Sequence, residues 1–509
     1  MKKDAVNRIA LLLTGAVAVV HLALANRYSL FGDELYFIAC GRHPAFGYAD
    51  QPPLVPLLSA LLYSLGSHVW LLRLPSVAAA SGLVWLTISM SRLLGGSQIA
   101  ALISGLGAAC APMLMSITAV LWTSTFEPLA WTAVAYAVTR TVILDDRRAL
   151  LWGGLVLGLA LEAKYAIPIW LVALTTGLLV TGERRILGVR ELWIGLLIAA
   201  ILTAPSLLWQ ATHGWPFIDL MKAAARKNLV LSPGEFLVRL MWSMNITLAP
   251  LWIAGAIAPF LMQSLTRVRF LAIGFLSVLI AVMFVHGKDY YVAAAFPTAF
   301  AVGSVALERV LTSTRLRVAC YVTVLVATAI TAPLALPILS PEDLVQYEKR
   351  MDMSVPRQLS FEARGDLPIV FGFQFGWQDF VRQVADAYHR VPASERQLTA
   401  ILVEDYGEAG AIDLYGPAYG LPTALSGHNQ YFLWGMRDQT PRNVLYLTGS
   451  DVWPATKLHP RGTECETLTV MGKTHSAYAM AFENGKTIAL CTGMHPDLAT
   501  IWPSLRFIF

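Results

Sequence analysis

The sequence predicts a polytopic α-helical membrane protein that ends in a soluble mixed α/β domain. Three observations carry this reading. Hydrophobic residues make up 56% of the chain and charged ones only 14%, with a mean hydropathy of +0.57. Apolar runs of spanning length recur, separated by short polar breaks, as far as residue 338. Beyond Pro337 the composition turns polar. Soluble domains carry about a quarter charged residues, so one large soluble core is excluded. A net charge of +5 on 509 residues gives no reason to expect a nucleic-acid partner.

The expected spans lie near 9–26, 72–91, 98–117, 125–143, 149–165, 166–181, 191–209, 242–263, 270–286, 290–307 and 318–338. That is about eleven, and up to about thirteen on the most generous reading. The pair within 149–181 reads as two short helices split near Pro168. Lys2 and Lys3 before an apolar run, with Ala23-Leu24-Ala25 after it, also have the form of a signal peptide. An N-terminus in the cytoplasm places fifteen basic residues on short inner segments: Lys2, Lys3, Arg8, Arg92, Arg140, Arg147, Arg148, Arg184, Arg185, Arg190, Arg267, Arg269, Arg309, Arg315 and Arg317. The longer outer segments before residue 340 hold nine: Arg27, Arg42, Arg73, Lys164, Lys222, Arg226, Lys227, Arg239 and Lys288. Positive charge favours the inside, so this orientation is expected.

Residues 1–339 then form the transmembrane part and 340–509 an outer soluble domain. Two long outer loops interrupt the first part. In 27–71, Leu54–Leu65 is too short to span and follows Pro52 and Pro53, which predicts an interfacial helix. In 210–241, Lys222, Arg226 and Lys227 at helical spacing predict a second one with a basic face; contact with anionic headgroups explains that face equally well. In the outer domain, 368–373, 398–403, 444–447 and 487–490 read as strands and 377–388 as a helix. Cys465 and Cys491 both fall outside, where a disulfide is stable; spacing does not fix the pairing, and two unpaired thiols stay open.

Polar chemistry concentrates on that outer side. Asp33 and Glu34 follow the first span, and Asp50 with Gln51 comes shortly after. Acids at a membrane boundary are costly unless they work; the plainer reading of Asp33 is a helix N-cap on a solvated loop. Glu127 opens the fourth span before Pro128, which also suits a helix-dipole contact. Lys164, beside Tyr165, either snorkels to the interface or offers a point charge to a phosphate. His286, Lys288 and Tyr290 form a polar knot between two spans; a lone His there would be structural, but the cluster favours an anion. Acids with separated cations at one face suit a reaction joining an anionic lipid headgroup to a neutral hydroxyl. The acid accepts the proton and the cations meet the departing phosphate.

The ordered motifs GDELYF, GYADQPPL, TFEPL, EAKYAIP and HGKDYYVAAAFP resemble the GT-C class of membrane glycosyltransferases, and more closely the bacterial family 39 or PMT_2 group. Glu404–Ala411, Leu421-Pro422 and Ser426–Asn429 resemble the outer domain of such proteins. The resemblance implies a polyprenyl-phosphate sugar donor, inversion at the anomeric carbon and an active site outside the bacterial inner membrane. It implies that Asp33 is the general base or positions the acceptor, with Glu34 beside it, and that Glu127 stands where relatives often have Asp. Lys164, Tyr165, Arg226, His286, Lys288 and Tyr290 are then expected near donor phosphate or sugar. Asp50 falls where relatives keep an acid and then a basic residue; Gln51 departs from that pattern and puts its contact in doubt. No metal is demanded, although a carboxylate cluster of this kind can take Mg or Mn. The acceptor is a hydroxyl of the cell envelope: lipid, glycan or protein. Two other classes fit the composition. A lipid or glycan transporter would show paired broken helices in matching halves, which are not apparent. A non-catalytic glycan-binding assembly protein would work through its outer domain alone.

Overall fold

The computed structural model describes residues 2–227, 230–351, 365–453 and 455–508; the side chains of Lys2, Lys3 and Lys227, counted above, lie outside the described residues. Contacts divide the chain into two units.

The first unit comprises Met1–Arg27, Trp70–Leu208 and Asn228–Ile338 and is helical. Every expected span falls on a helix or a pair of helices. Leu74–Leu93, Arg190–Thr212, Gln263–Phe284 and Thr314–Leu334 are each long and apolar enough to cross a bilayer. Others are shorter apolar helices, among them Gln98–Ala109, Ala149–Ala163 and Pro168–Val180. The span expected near 242–263 falls on Ile246–Leu261, the second helix of a bent pair that begins with Pro233–Ser243 and turns by 99°. Asn245 makes the corner. It adopts φ +66°, which Asn tolerates better than most residues, and its Oδ1 accepts the Thr247 N–H at 3.1 Å to start the next helix. The helices Ala249–Leu261 and Phe296–Val310 touch backbone to backbone. A Cβ on Gly255 would meet the Ala299 carbonyl, and one on Gly303 the Leu251 carbonyl. Small residues at helix contacts are how apolar helices gain packing without a solvent-driven force.

The second unit comprises Tyr28–Val69, Trp209–Lys227 and Leu339–Phe509. Its sheet has strands β1 (Thr399–Val403), β2 (Leu425–Ser426), β3 (Asn443–Thr448), β4 (Thr467–Lys473) and β5 (Thr487–Thr492), in the order β2-β1-β3-β5-β4. β1 pairs parallel with β2 and β3, while β5 runs antiparallel to β3 and β4. The helix Tyr406–Tyr415 links β1 to β2. Leu54–Ser64 and Pro216–Lys227 are helices, as expected; the first leaves Leu57 and Leu61 exposed, the second Lys222 and Arg226.

One strand expectation fails. Residues 368–373 form a single helical turn, Ile369–Gly372, because Pro368 opens a turn and its carbonyl accepts the N–H groups of Phe371 and Gly372. The apolar run there is buried through Phe371 instead of through strand pairing. Cys465 and Cys491 form a disulfide across 26 residues, tying the approach to β4 onto β5. A loop of that size implies that Cys491→Ser lowers the stability of this sheet by about 3 kcal/mol. Pulse proteolysis of the full chain in increasing denaturant measures the shift.

Candidate active site

Asp33 occupies the first turn of the helix Gly32–Arg42, in the second unit. That helix is drawn against Tyr406–Tyr415 at Gly410, where a Cβ would sit 3.0 Å from the Leu35 carbonyl carbon. The close approach brings the Tyr406 hydroxyl onto Asp33, to which it donates a 2.8 Å hydrogen bond. Tyr36, three residues along, donates to Asp50 Oδ1 at 2.7 Å and accepts the Gln430 N–H at 3.1 Å. Asn429 donates to the other Asp50 oxygen at 3.1 Å. The Tyr36 and Tyr406 rings lie 4.7 Å apart, and His428 packs 4.8 Å from Tyr406. His428 Nδ1 is 3.2 Å from Asp405 Oδ2.

These neighbours set the proton affinities. Burial raises Asp33 to about 7; the Tyr406 hydroxyl pulls it down, and the charges of Asp405, Asp50 and Glu34 push it further up. Burial raises Asp50 to about 6, against the stabilising hydrogen bond from Tyr36. Asp405 moves the other way. Burial would raise it, but the hydrogen bond and charge of His428, with the Gly407 N–H and Lys486, hold it below the usual carboxylate range. Tyr36 and Tyr406 are pushed well above the phenol range, first by burial, and stay donors. The site thus carries one fixed anion and two carboxylates that exchange protons near neutrality, which is the pattern of an acid–base centre.

Glu34 does different work from its neighbour. It is fully buried, and its Oε2 accepts the Phe31 N–H at 2.9 Å, capping the helix that carries Asp33. Gln51 is also buried, with its side-chain amide against the Cys40 thiol, and its backbone carbonyl accepts the Tyr48 N–H at 3.0 Å.

In the first unit, Lys164 follows the last turn of Ala149–Ala163 and pairs with Glu127 at 2.7 Å, also donating to Ser124 Oγ at 2.7 Å. Its ammonium lies 5.6 Å and 5.4 Å from the ring centres of Tyr290 and Tyr291. The structure therefore brings Glu127, Lys164 and Tyr290 together. Tyr165 turns toward Glu162 and Ser206 instead. His286 is exposed, with φ +51°, and Lys288 is half-buried. Arg226 stands exposed on Pro216–Lys227. Asp289, between Lys288 and Tyr290, is buried against Arg239 at 3.1 Å. Among the described residues, no group of three or more His, Cys, Asp or Glu side chains is placed to hold a metal ion.

Sequence reasoning gave no role to Tyr406, Asp405, His428 or Asn429. Spacing offered no clue, since Tyr406 lies 373 residues from Asp33; the segments 404–411 and 426–429 stood out only by resemblance.

Residues 50–209 match the PMT_2 family, described as dolichyl-phosphate-mannose-protein mannosyltransferase. No curated protein matches the chain by sequence. The fold resembles ArnT from Cupriavidus metallidurans bound to undecaprenyl phosphate, with a TM-score of 0.61 at 13% identity over 94% of this chain and 97% of that one. The same protein in the apo state gives 0.59 at 13% identity over the same shares, 94% and 97%. The oligosaccharyltransferase AglB from Archaeoglobus fulgidus, in complex with an inhibitory peptide and a dolichol-phosphate, gives 0.50 at 12% identity over 86% of this chain and 69% of that one. At these identities the likeness to the solved structures is one of fold. The fold and the match over residues 50–209 make the chain similar to membrane glycosyltransferases of the GT-C class.

Proposed function

We propose that this chain is an inverting glycosyltransferase that moves a sugar from a polyprenyl-phosphate donor to an acceptor hydroxyl of the cell envelope. The reaction is placed on the outer face of a bacterial inner membrane, with about eleven spans and a soluble α/β domain outside. The basic residues on the short inner segments support that topology. The undecaprenyl phosphate and dolichol-phosphate bound to the two relatives support the lipid donor.

The observation that carries the chemistry is Asp33, held near neutrality and gripped by Tyr406. The Asp33 carboxylate takes the acceptor hydroxyl proton as the oxygen forms its bond to C1 of the sugar. The bond from C1 to the phosphate oxygen breaks, and its electron pair leaves with the polyprenyl phosphate. Attack from the side opposite the phosphate inverts C1. The sequence motifs assign Lys164, Lys288 and Arg226 to the charge of the departing phosphate; a phosphate leaves without a general acid. Glu127 holds the Lys164 ammonium in place. No step calls on a metal.

The test is transfer by the purified full chain with a panel of undecaprenyl-phosphate sugars and envelope acceptors, with and without chelator. Expected are release of undecaprenyl phosphate, a product of inverted anomeric configuration, and rates unchanged by chelation. Retained configuration, or a rate abolished by chelator and restored by Mg or Mn, contradicts the mechanism. No transfer with any lipid-phosphate sugar contradicts the function.

A further inference from the structure

Behind Tyr406 lies a buried ionic cluster that the reaction as written does not use. Lys486 precedes β5 and is 5% exposed. Its ammonium pairs with Glu408 at 2.7 Å and with Glu404 at 3.5 Å. Burial alone would lower Lys486, but Glu408, Glu483 and Glu404 more than offset it and keep the cation charged. Burial, with Glu408 next to it, raises Glu483 well above the carboxyl range, so Glu483 is the protonated member.

Glu408 is the link to the site. Fully buried, it turns its other oxygen back to accept the N–H groups of Glu404 at 3.1 Å and Asp405 at 3.2 Å. Asp405 in turn accepts the Gly407 N–H at 2.6 Å. This reciprocal capping fixes the first turn of Tyr406–Tyr415, and Tyr406 is the first residue of that helix. Without Lys486 beside it, Glu408 would be a fully buried carboxylate that had lost its closest counter-charge, and the turn it caps would loosen.

Resting on the assignment of Asp33 as base, we propose that Lys486 is a positioning residue: its ion pair with Glu408 locks the turn that holds the Tyr406 hydroxyl on Asp33. The charged and titratable groups facing Asp33 are Tyr406 and Asp405 from that turn, Asp50 from the loop after Gly32–Arg42, and Glu34 from its own helix. Of these, the Tyr406 hydrogen bond is what lowers the Asp33 proton affinity. Loosening the turn therefore raises it, and the acid limb of transfer moves to higher pH.

The experiment replaces both charges together, Lys486→Met with Glu408→Gln, so that no lone buried ion remains. The acid limb of kcat/KM is then measured in this variant, in Tyr406→Phe and in their combination. Expected is an upward move of about one pH unit in the double variant, the scale of one hydrogen bond to a carboxylate. Tyr406→Phe moves similarly, and the combination goes no further. A folded double variant with the wild-type limb overturns the proposal, as does a shift that adds in full to that of Tyr406→Phe. If the double variant does not fold, Lys486→Gln with Glu408→Gln, which also leaves no lone buried ion, carries the same expectation and the same refutation. The two assignments fail differently. A limb that survives in Asp33→Asn sinks the base assignment and the proposal with it. A limb lost in Asp33→Asn but unmoved in the double variant sinks only the positioning role.

Discussion

Replacing Asp33 with Asn lowers kcat for sugar transfer by about 10²–10⁴-fold, the usual contribution of a positioned general base. Donor KM changes little, because the substitution keeps shape and volume. The amide oxygen introduced by Asp33→Asn would still accept the Tyr406 hydroxyl, so the helix Gly32–Arg42 keeps its seat beside Gly410. What disappears is the group that takes the acceptor proton. Steady-state rates with a lipid-phosphate sugar, alongside proof that the variant elutes as a folded protein, check the expectation. A rate within a few-fold of wild type would move the base to Asp50, the other carboxylate with a raised proton affinity.

Lys164→Met lowers kcat/KM by about 10²–10³-fold, the scale of one lost donor to a developing anion. Here the loss divides in a diagnostic way. Lys164 makes an ion pair with Glu127 at 2.7 Å before any substrate arrives, so removing it leaves an uncompensated, half-buried carboxylate. Glu127 itself then repels a phosphate. Lys164→Met with Glu127→Gln is therefore expected to recover part of the donor KM but none of the lost kcat. Full recovery by the double variant would make the pair structural only.

The helices were readable because a bilayer demands long apolar runs, and those runs need no partner to be recognised. Where a corner depended on one residue, as at Asn245, hydropathy read straight through it. The run 368–373 shows the complementary error: apolar residues suggested a strand, but Pro368 dictated a turn. At the candidate site, Asp33 was singled out because its position at the end of the first apolar span is unusual by itself. Glu34 looked equivalent, yet it caps the helix through the backbone of Phe31. The usual Ser or Thr cap signature was missing, so nothing in the sequence separated the two acids. Tyr406, His428 and Asn429 are defined only by the crossing of two helices and a sheet connection, and no local pattern announces such a meeting.

The most direct test is the pH dependence of kcat/KM for transfer from a polyprenyl-phosphate sugar. Asp33 titrates at about 7 and must be ionised to act. The rate is therefore expected to fall about tenfold per pH unit below that value and to level off above it. A rate that stays flat from about pH 5 to about pH 8 in the wild-type protein would contradict the account, because a base of this affinity cannot remain ionised across that range.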